Sequence, residues 1–306
     1  MLSAVVQAPI GVAATVELVL AVGEAGGLGT LGASWTPPER LREQVRELQR
    51  AAERPFCVNL VLAFKQAERV ELCRSERVPV VSFSWGIDEA FVRALQEVGT
   101  TVLAQVGSPA EARAAAAAGC DGLLVQGVEA GGHVQGTVAL LPLLRAVARA
   151  VSLPLTAAGG IADEPGVRAA LAAGAAGVML GTRYVASSEA DAHPVWQRAI
   201  CDAEVEDAVW TDVFDVGWPD APHRVLRNST LARLGGQTAR PRPGEGETIA
   251  QTDGRALVRY GDDEPLRRTT GAVEALALYA GQSCGVIDRV EPAGAITERL
   301  LAAAHA

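Results

Sequence analysis

Short hydrophobic runs alternate with longer amphipathic segments along the first 180 residues of the chain. The runs are four to seven residues long, and they lie at 4–7, 27–31, 56–62, 78–83, 101–106, 122–125, 153–157 and 177–180. Their apolar residues are continuous rather than alternating, which is typical of parallel strands that are buried on both faces. The pattern predicts eight parallel strands.

Helix-forming segments separate most of these runs. We predict helices at 15–26, 37–53, 88–99, 110–119, 140–151 and 163–174. Ser108 and Pro109 form a helix start signal, and several of the helices end at a glycine that can adopt a left-handed backbone. Eight strand and helix units within about 190 residues favour a (β/α)8 TIM barrel of the α/β class over an open sheet.

The chain changes character after the eighth run. Proline, glycine and charged residues follow one another closely between 212 and 265, without a pattern that fits a barrel element. We therefore predict a barrel at 1–200, a small cap or substrate subdomain at 201–268 inserted after strand eight, and C-terminal helices that return to the barrel at 269–306. These last helices are expected at 271–279 and 293–304.

Composition and charge narrow the class of protein. The chain has 306 residues, 49% of them hydrophobic and 21% charged, and a net charge of −9. These values argue against disorder and against binding of nucleic acid, whose phosphates attract clustered basic residues. The longest apolar stretches are far shorter than the roughly 20 residues that span a bilayer, so no membrane segment is expected.

The cysteines and the start of the chain give two further expectations. The five cysteines are widely spaced and odd in number, so we expect neither a disulfide framework nor a metal site. The first residues lack the basic start and long apolar region of a secretory signal. The sequence therefore predicts a cytoplasmic protein.

Glycines mark the ends of the last two predicted strands. Gly159 and Gly160 follow the seventh strand, and Gly181 and Thr182 follow the eighth. The loops at these positions of a barrel commonly bind phosphate, since glycine lets a phosphate approach the backbone N–H groups closely. Each glycine pair could serve a tight turn alone, but their joint position favours a phosphate site.

His133 is the strongest catalytic candidate in the sequence. It follows predicted strand six in a glycine-rich loop, where an imidazole can take up a proton or stabilise an anion. The alternative is a structural histidine, which the loop position disfavours. His193, His223 and His305 are interpreted as solvated or structural.

Three amide side chains interrupt the apolar strands: Asn59, Gln105 and Gln126. A buried amide without a partner costs about 1 to 3 kcal/mol, so each of them needs a hydrogen bond. They either bond to neighbouring strands or contact a ligand, and the sequence leaves both interpretations open.

Several motifs stand together in an order that resembles the nitronate monooxygenases, also called 2-nitropropane dioxygenases. The motifs are QAPIG at 7–11, AGGLG at 25–29, VNL at 58–60, QG at 126–127, EAGGH at 129–133, AAGGI at 157–161, LGTR at 180–183 and GQS at 281–283. The resemblance covers nearly the whole chain. It implies an FMN-dependent TIM barrel oxidoreductase.

The resemblance also implies roles for individual residues. His133 would be the active-site base or anion stabiliser. Ile10 stands where many members have a methionine next to the flavin. The other residues that would bind FMN are Asn59, Gln126, Gly131, Gly159, Gly160, Met179, Leu180, Gly181 and Thr182.

The activity implied by the resemblance is the oxidation of alkyl nitronates or nitroalkanes by O2 to carbonyl compounds and nitrite. Two alternatives stay open. The first is an NAD(P)H-dependent FMN reductase of enoyl thioesters or quinones, and the second is a non-catalytic flavin-binding barrel. The residues that follow His133 differ from those of better-studied members, so the sequence leaves the substrate open.

Overall fold

The structure is a computed structural model that describes residues 3–235 and 240–306. Within these residues, eight parallel strands form one sheet: β1 (Val5–Gln7), β2 (Thr30–Gly32), β3 (Cys57–Val61), β4 (Val80–Ser84), β5 (Thr101–Val106), β6 (Gly122–Gln126), β8 (Leu155–Ala158) and β9 (Gly177–Leu180). A short strand, β7 (Gly132–His133), follows β6 outside this sheet. The sheet order is β1-β9-β8-β6-β5-β4-β3-β2. Every predicted strand is present, and the predicted barrel is confirmed.

The barrel closes between β1 and the residues that precede β2. The backbone N–H of Gln7 donates to Leu28 O at 2.9 Å, and Leu28 N–H donates to Val5 O at 2.9 Å. The buried side chain of Gln7 continues the seam, because its Oε1 accepts the N–H of Thr30 at 2.8 Å. The Gln7 side chain thus supplies a hydrogen bond at a position where the backbones of these short strands do not pair.

The predicted helices are present with slightly shorter bounds. They are α1 (Val16–Glu24), α2 (Pro38–Ala51), α4 (Glu89–Gln96), α5 (Pro109–Ala117), α6 (Leu140–Ala150) and α7 (Glu164–Ala172). A further helix, α3 (Ala67–Ser75), lies between α2 and α4 and was not predicted. The sequence pattern missed α3 because its buried residues, Val70, Leu72 and Cys73, do not recur at helical spacing.

The interior of the barrel is filled rather than open. One small or medium apolar side chain comes from each strand, or from Leu28 just before β2: Val6, Leu28, Cys57, Val80, Leu103, Leu124, Ala158 and Met179. A larger apolar cluster lies between the outer faces of the strands and the helices. Ligands therefore have access only to the loops at the ends of the strands.

The chain after β9 forms short helices and antiparallel sheets. Helices α8 (Thr182–Val185) and α9 (Pro194–Cys201) come first, and α10 (Ser229–Leu234) and α11 (Ala293–His305) follow later. Strand β11 (His223–Leu226) pairs with β7 on one side and with β10 (Ala208–Thr211) on the other. Strand β12 (Thr248–Thr252) pairs with β13 (Arg255–Val258) and β14 (Thr270–Gly271). The predicted division at residues 200 and 268 stays a prediction.

The helix predicted at 271–279 is wrong. The chain there contains the end of β14, a single 3-10 turn at Val273–Ala275 and then an extended segment. Leu276, Ala277 and Leu278 are all buried, and Leu226 N–H donates to Leu278 O at 2.9 Å. Three consecutive buried residues fit an extended segment covered on both sides, whereas a helix would expose one of them. The helix predicted at 293–304 is confirmed by α11.

No helix in residues 3–235 and 240–306 is long and apolar enough to cross a membrane.

Candidate active site

A large cavity lies at the carboxyl ends of the barrel strands. Its volume is about 700 Å³, which falls in the usual range for ligand sites. The loops after β1, β2, β4, β6, β8 and β9 line it, together with residues 217–218, 262–264, 279 and 283. This is the end of the barrel at which the sequence predicts the site.

Glycine and threonine backbone forms one side of the cavity, which we call the glycine side (Gly159, Gly160, Gly181 and Thr182). The two loops that carry these residues are adjacent, because β8 and β9 are neighbours in the sheet. Gly159 and Gly160 have φ angles of 102° and 70°, which L side chains rarely adopt. Thr182 Oγ1 accepts the N–H of Gly281 at 2.9 Å, so its hydroxyl hydrogen is free to donate to a ligand.

No basic side chain from the LGTR motif enters the glycine side. Arg183 is buried and turned away, with its guanidinium 3.4 Å from Glu291. It also donates to the carbonyl oxygens of Ala186 and Arg289, at 2.7 and 2.6 Å. A phosphate on this side would therefore be held by backbone N–H groups and hydroxyl groups rather than by an arginine.

Most of the predicted cofactor-binding residues meet at this cavity. Those that line it are Ile10, Asn59, Gln126, Gly131, Gly159, Gly160, Met179, Gly181 and Thr182. Leu180 is different, because its side chain is buried in the cluster between strands and helices. Side chains alternate along β9, so Met179 faces the barrel interior and Leu180 faces away from it. Leu180 can contribute only through its backbone, and its carbonyl already accepts the N–H of Ala8 at 2.9 Å.

Two residues of the EAGGH motif support the loop itself. Both carboxylate oxygens of Glu129 accept the N–H of Leu140 at 3.0 Å, which caps a helix whose preceding residue, Ala139, has no side-chain oxygen. Gly131 lies against the backbone of Ala280 and Gly281 so closely that a Cβ atom would overlap them. Packing alone therefore explains why a glycine stands at 131.

His133 is one of the residues that line the cavity. It belongs to β7 and pairs with His223 on β11. Its ring stacks on Trp218, with centroids 4.2 Å apart and an interplanar angle of 26°. Nε2 is buried and has no hydrogen-bond partner among the described residues. Burial, with a smaller contribution from His223, lowers the pKa of His133 to about 3, so its imidazole is neutral at neutral pH.

His223 is buried next to His133 and is not solvated. Its ring centroid lies 5.3 Å from that of His133. Nδ1 is 2.9 Å from Ala221 O, and Nε2 accepts the N–H of Phe214 at 3.2 Å, so the proton resides on Nδ1. Burial lowers the pKa of His223. The structural interpretation fits this residue, but the sequence gave no indication that it touches the site.

The other two histidines lie away from the cavity. His193 accepts the N–H of Val195 at 3.1 Å and begins α9, and His305 is exposed near the end of α11.

The three amide side chains hydrogen-bond to protein, and all of them also line the cavity. Asn59 Nδ2 donates to Ser82 O at 3.2 Å and to Ser82 Oγ at 3.0 Å. Gln126 Nε2 donates to His133 O at 3.2 Å, and its Oε1 accepts the N–H of Gln135 at 3.0 Å. Gln105 Nε2 donates to Gln126 Oε1 at 3.3 Å. Gln126 therefore positions the His133 loop, Gln105 supports Gln126, and Asn59 is held by Ser82.

Aromatic rings form the opposite side of the cavity, and sequence reasoning missed them. We call this group the aromatic wall (Trp35, Phe64, Trp85 and Trp218). Trp35, Trp85 and Trp218 line the cavity, and Phe64 packs against Trp218 with ring centroids 5.0 Å apart. Three of these residues follow β2, β3 and β4, while Trp218 comes from the segment after the barrel. The one signal in the sequence that could have identified Trp35, Phe64 and Trp85 as site residues was their position directly after barrel strands.

Three carboxyl groups also line the cavity, those of Asp262, Asp263 and Glu264. Glu264 Oε1 accepts the N–H of Val12 at 2.7 Å and occupies the space that a Cβ atom at Gly11 would need. Burial raises the pKa of Glu264 to about 7 and that of Asp262 to about 6. Gly11 is therefore required for the contact between the 262–264 segment and the loop after β1.

A parallel barrel with a cavity at its carboxyl end and a neutral histidine in the cavity wall defines a barrel enzyme. The family model for nitronate monooxygenase matches residues 2–68 and 63–303, and the chain belongs to that family. The predicted resemblance is confirmed. The protein is an oxidoreductase, as predicted, and its family consists of flavoenzymes.

Similar proteins carry more than one activity in their names. The chain is 33% identical to a (3aS,4S,5R,7aS)-5-hydroxy-7a-methyl-1-oxo-octahydro-1H-indene-4-carboxyl-CoA dehydrogenase of Mycobacterium tuberculosis, over 93% of this chain and 88% of that protein. It is 33% identical to a nitronate monooxygenase of Pseudomonas aeruginosa, over 64% of this chain and 70% of that protein.

Two solved structures resemble the whole chain. FabK from Thermotoga maritima has a TM-score of 0.80 and 34% identity, covering 99% of this chain and 93% of its own. A nitroalkane oxidase from Streptomyces ansochromogenes has a TM-score of 0.78 and 29% identity, covering 98% of this chain and 95% of its own. The family and the oxidoreductase class are thus clear, while the substrate is a separate question.

Proposed function

We propose that this protein is an FMN-dependent nitronate monooxygenase, which oxidises alkyl nitronates with O2 to carbonyl compounds and nitrite. The observation that carries the proposal is the buried Nε2 of His133, which has no hydrogen-bond partner in the described part of the chain and belongs to a cavity that the glycine side also lines. A buried polar atom without a partner is rare in folded proteins and is expected where a ligand completes the site.

The glycine side fits the phosphate of FMN. Gly159 and Gly160 have positive φ angles and no side chain, so a phosphate can approach their backbone closely, and the Thr182 hydroxyl can donate on the same side. Space next to Gly181 is open, since a Cβ atom would meet only Ala8 and Ile10, at 3.6 and 3.8 Å. A side chain longer than a methyl group would fill part of the cradle.

The remaining lining residues would hold the rest of the cofactor. Asn59, Gln126 and Ile10 line the same cavity as the glycine side and His133. When FMN is bound, its flavin ring supplies the redox chemistry by accepting electrons from the nitronate and passing them to O2. The protein holds and orients the two reactants and limits access of water.

His133 favours an anion that is already deprotonated. Because the pKa of His133 is about 3, its imidazole is a weak base and would remove a proton from a neutral nitroalkane slowly. A neutral imidazole can instead donate one hydrogen bond to a nitronate oxygen, which would satisfy the orphaned Nε2. We therefore propose nitronates, rather than neutral nitroalkanes, as the substrates.

Anaerobic reduction of the bound flavin tests this proposal. Ethyl nitronate should bleach the visible absorbance of the purified protein within the turnover time, and addition of O2 should restore the absorbance and release nitrite. NADH and NADPH should bleach it far more slowly. Rapid bleaching by a nicotinamide together with none by ethyl nitronate would overturn the proposal.

A thioester oxidoreductase is the second candidate. It is favoured by the similarity to a CoA dehydrogenase over 93% of the chain, a larger share than the 64% matched by the Pseudomonas nitronate monooxygenase. The same anaerobic experiment separates the two candidates when an acyl-CoA with or without NADPH replaces the nitronate. Flavin reduction or reoxidation that depends on the thioester would favour the second candidate.

A further inference from the structure

Tryptophan is concentrated on one side of the cavity. The chain contains only 5 Trp, 3 Tyr and 5 Phe residues, yet Trp35, Trp85 and Trp218 all line the face opposite the glycine side. They come from three distant parts of the sequence. None of the three belongs to the cluster inside the barrel or to the larger cluster between strands and helices. Trp85 and Trp218 pack instead in a small separate cluster at the cavity.

The rings of the aromatic wall form a continuous surface that begins at His133. Trp218 stacks on His133, and its centroid lies 4.9 Å from that of Trp85 and 6.1 Å from that of Trp35. Trp218 is 8% exposed, whereas Trp35 is 51% exposed. The surface therefore extends from the histidine deep in the cavity to an indole ring at its mouth.

The backbone at Trp85 is strained in a way that places its ring in the cavity. Its φ angle is 57°, a left-handed conformation that is unfavourable for a bulky L residue. Gln135 holds the conformation, since its Oε1 accepts the N–H of Trp85 at 3.1 Å. Gln135 lies two residues after His133, so one side chain links the aromatic wall to the catalytic loop.

We infer that the aromatic wall is a substrate subsite for a cyclic hydrocarbon group. The inference rests on the proposed function and specifies its substrate class: nitronates that carry one or two rings near the reacting carbon, rather than short linear chains. Indole faces give a flat ring a large apolar contact with few rotatable bonds, and a linear chain loses more conformational freedom for the same contact. The four side chains of the wall carry no charge, and the charged residues that line the cavity lie in the 255–264 segment.

Binding of two uncharged probes of similar hydrophobicity tests the subsite without any turnover. In calorimetric titrations of the protein as purified, 2-naphthylmethanol should bind about tenfold more tightly than 1-octanol. The naphthyl ring can stack on the indole rings, and this interaction adds binding free energy beyond that of apolar burial alone. Trp35→Ala should remove most of this difference, and Trp35→Phe should restore part of it. Trp35 is half-exposed, so its replacement should leave the fold intact.

Trp210→Ala is the matched control. Trp210 is 47% exposed on β10, and it does not line the cavity. This variant should bind both probes as the parent protein does. A parallel measurement should show that Trp35→Ala lowers kcat/KM for the nitronate of phenylnitromethane more than kcat/KM for ethyl nitronate. Trp210→Ala should leave the ratio of the two values as it is in the parent protein.

The outcomes separate this inference from the proposed function. Selective binding of the cyclic probe without nitronate oxidation would preserve the subsite and refute the proposed reaction. Nitronate oxidation with equal binding of both probes, or with equal losses in Trp35→Ala and Trp210→Ala, would refute the subsite and leave the reaction standing.

Discussion

The two sides of the cavity are built in opposite ways. The glycine side is made of backbone, and its key positions lack side chains because Gly159 and Gly160 adopt positive φ angles. The aromatic wall is made of large side chains on loops whose backbone is unremarkable except at Trp85. In our proposal, the first side would bind the phosphate of the cofactor through backbone N–H donors, and the second would contact the substrate through its side chains. This contrast suits a constant cofactor and a variable substrate.

His133 lies where the two sides meet. Its strand, β7, leaves the barrel after β6 and joins the antiparallel sheet of β10 and β11. The barrel therefore determines where the loop starts, while the segment after the barrel supplies Trp218 and His223 around the ring. The chemistry of the site depends on both parts of the chain.

Replacing His133 should have the largest effect on turnover. In His133→Asn, nitrite formation from ethyl nitronate should fall by about 10²- to 10⁴-fold, the range typical of a lost acid, base or anion contact. The flavin content should stay near that of the parent, since His133 is not on the glycine side. Turnover equal to that of the parent would remove His133 from its proposed role.

Filling the glycine side with a side chain should lower the affinity for FMN rather than the rate of the reaction. Gly181→Leu places a side chain against Ala8 and Ile10 and into the cradle, so FMN affinity should fall by about ten- to a hundredfold through loss of phosphate hydrogen bonds. Fluorescence titration of the apoprotein measures this. Gly23→Ala, in α1 with open space at its Cβ position, is the control and should bind FMN normally. Full occupancy in Gly181→Leu would contradict the cradle.

Gln135 links the histidine loop to the aromatic wall, so its loss should affect both. In Gln135→Ala, the bonds to Trp85 N and Glu111 Oε2 disappear, and the free energy of unfolding should fall by about 1 to 3 kcal/mol. Urea denaturation gives this value. Gln49→Ala is the control on an exposed face of α2, with an expected change below about 0.5 kcal/mol. Equal losses in the two variants would show that Gln135 has no special structural role.

The effect of Glu264 should be visible as a change in the pH dependence of stability. Its pKa is raised from 4.5 to about 7 on folding, so the folded protein binds more protons than the unfolded chain between these values. Its contribution to stability is therefore present below pH 4.5 and is lost as the pH rises toward 7. Glu264→Gln keeps an oxygen acceptor for Val12 N–H and should flatten this decline. An unchanged pH profile of Tm would contradict the raised pKa.

The sequence predicted what depends on local pattern. Continuous apolar runs identified all eight barrel strands, and glycines after the last two strands identified the loops at Gly159 and Gly181. His133 was recognisable because a histidine in a glycine-rich loop after a strand is unusual. Each of these signals lies within a few residues of the feature that it predicts.

The aromatic wall and His223 could not be predicted in the same way. Trp35, Trp85 and Trp218 are far apart in the sequence, and only barrel closure brings the first two together with a residue from the later segment. His223 resembled a turn residue beside Pro222, but β11 buries it by pairing with β7. Such contacts depend on tertiary packing, and local patterns carry little information about them.

The most direct test of the account compares binding of FMN and riboflavin to the apoprotein. The two ligands share the flavin ring and differ only in the phosphate that the glycine side is proposed to hold. We expect FMN to bind at least about a hundredfold more tightly, and Gly181→Leu to reduce that ratio sharply. Equal affinities for FMN and riboflavin in the parent protein would contradict the central claim.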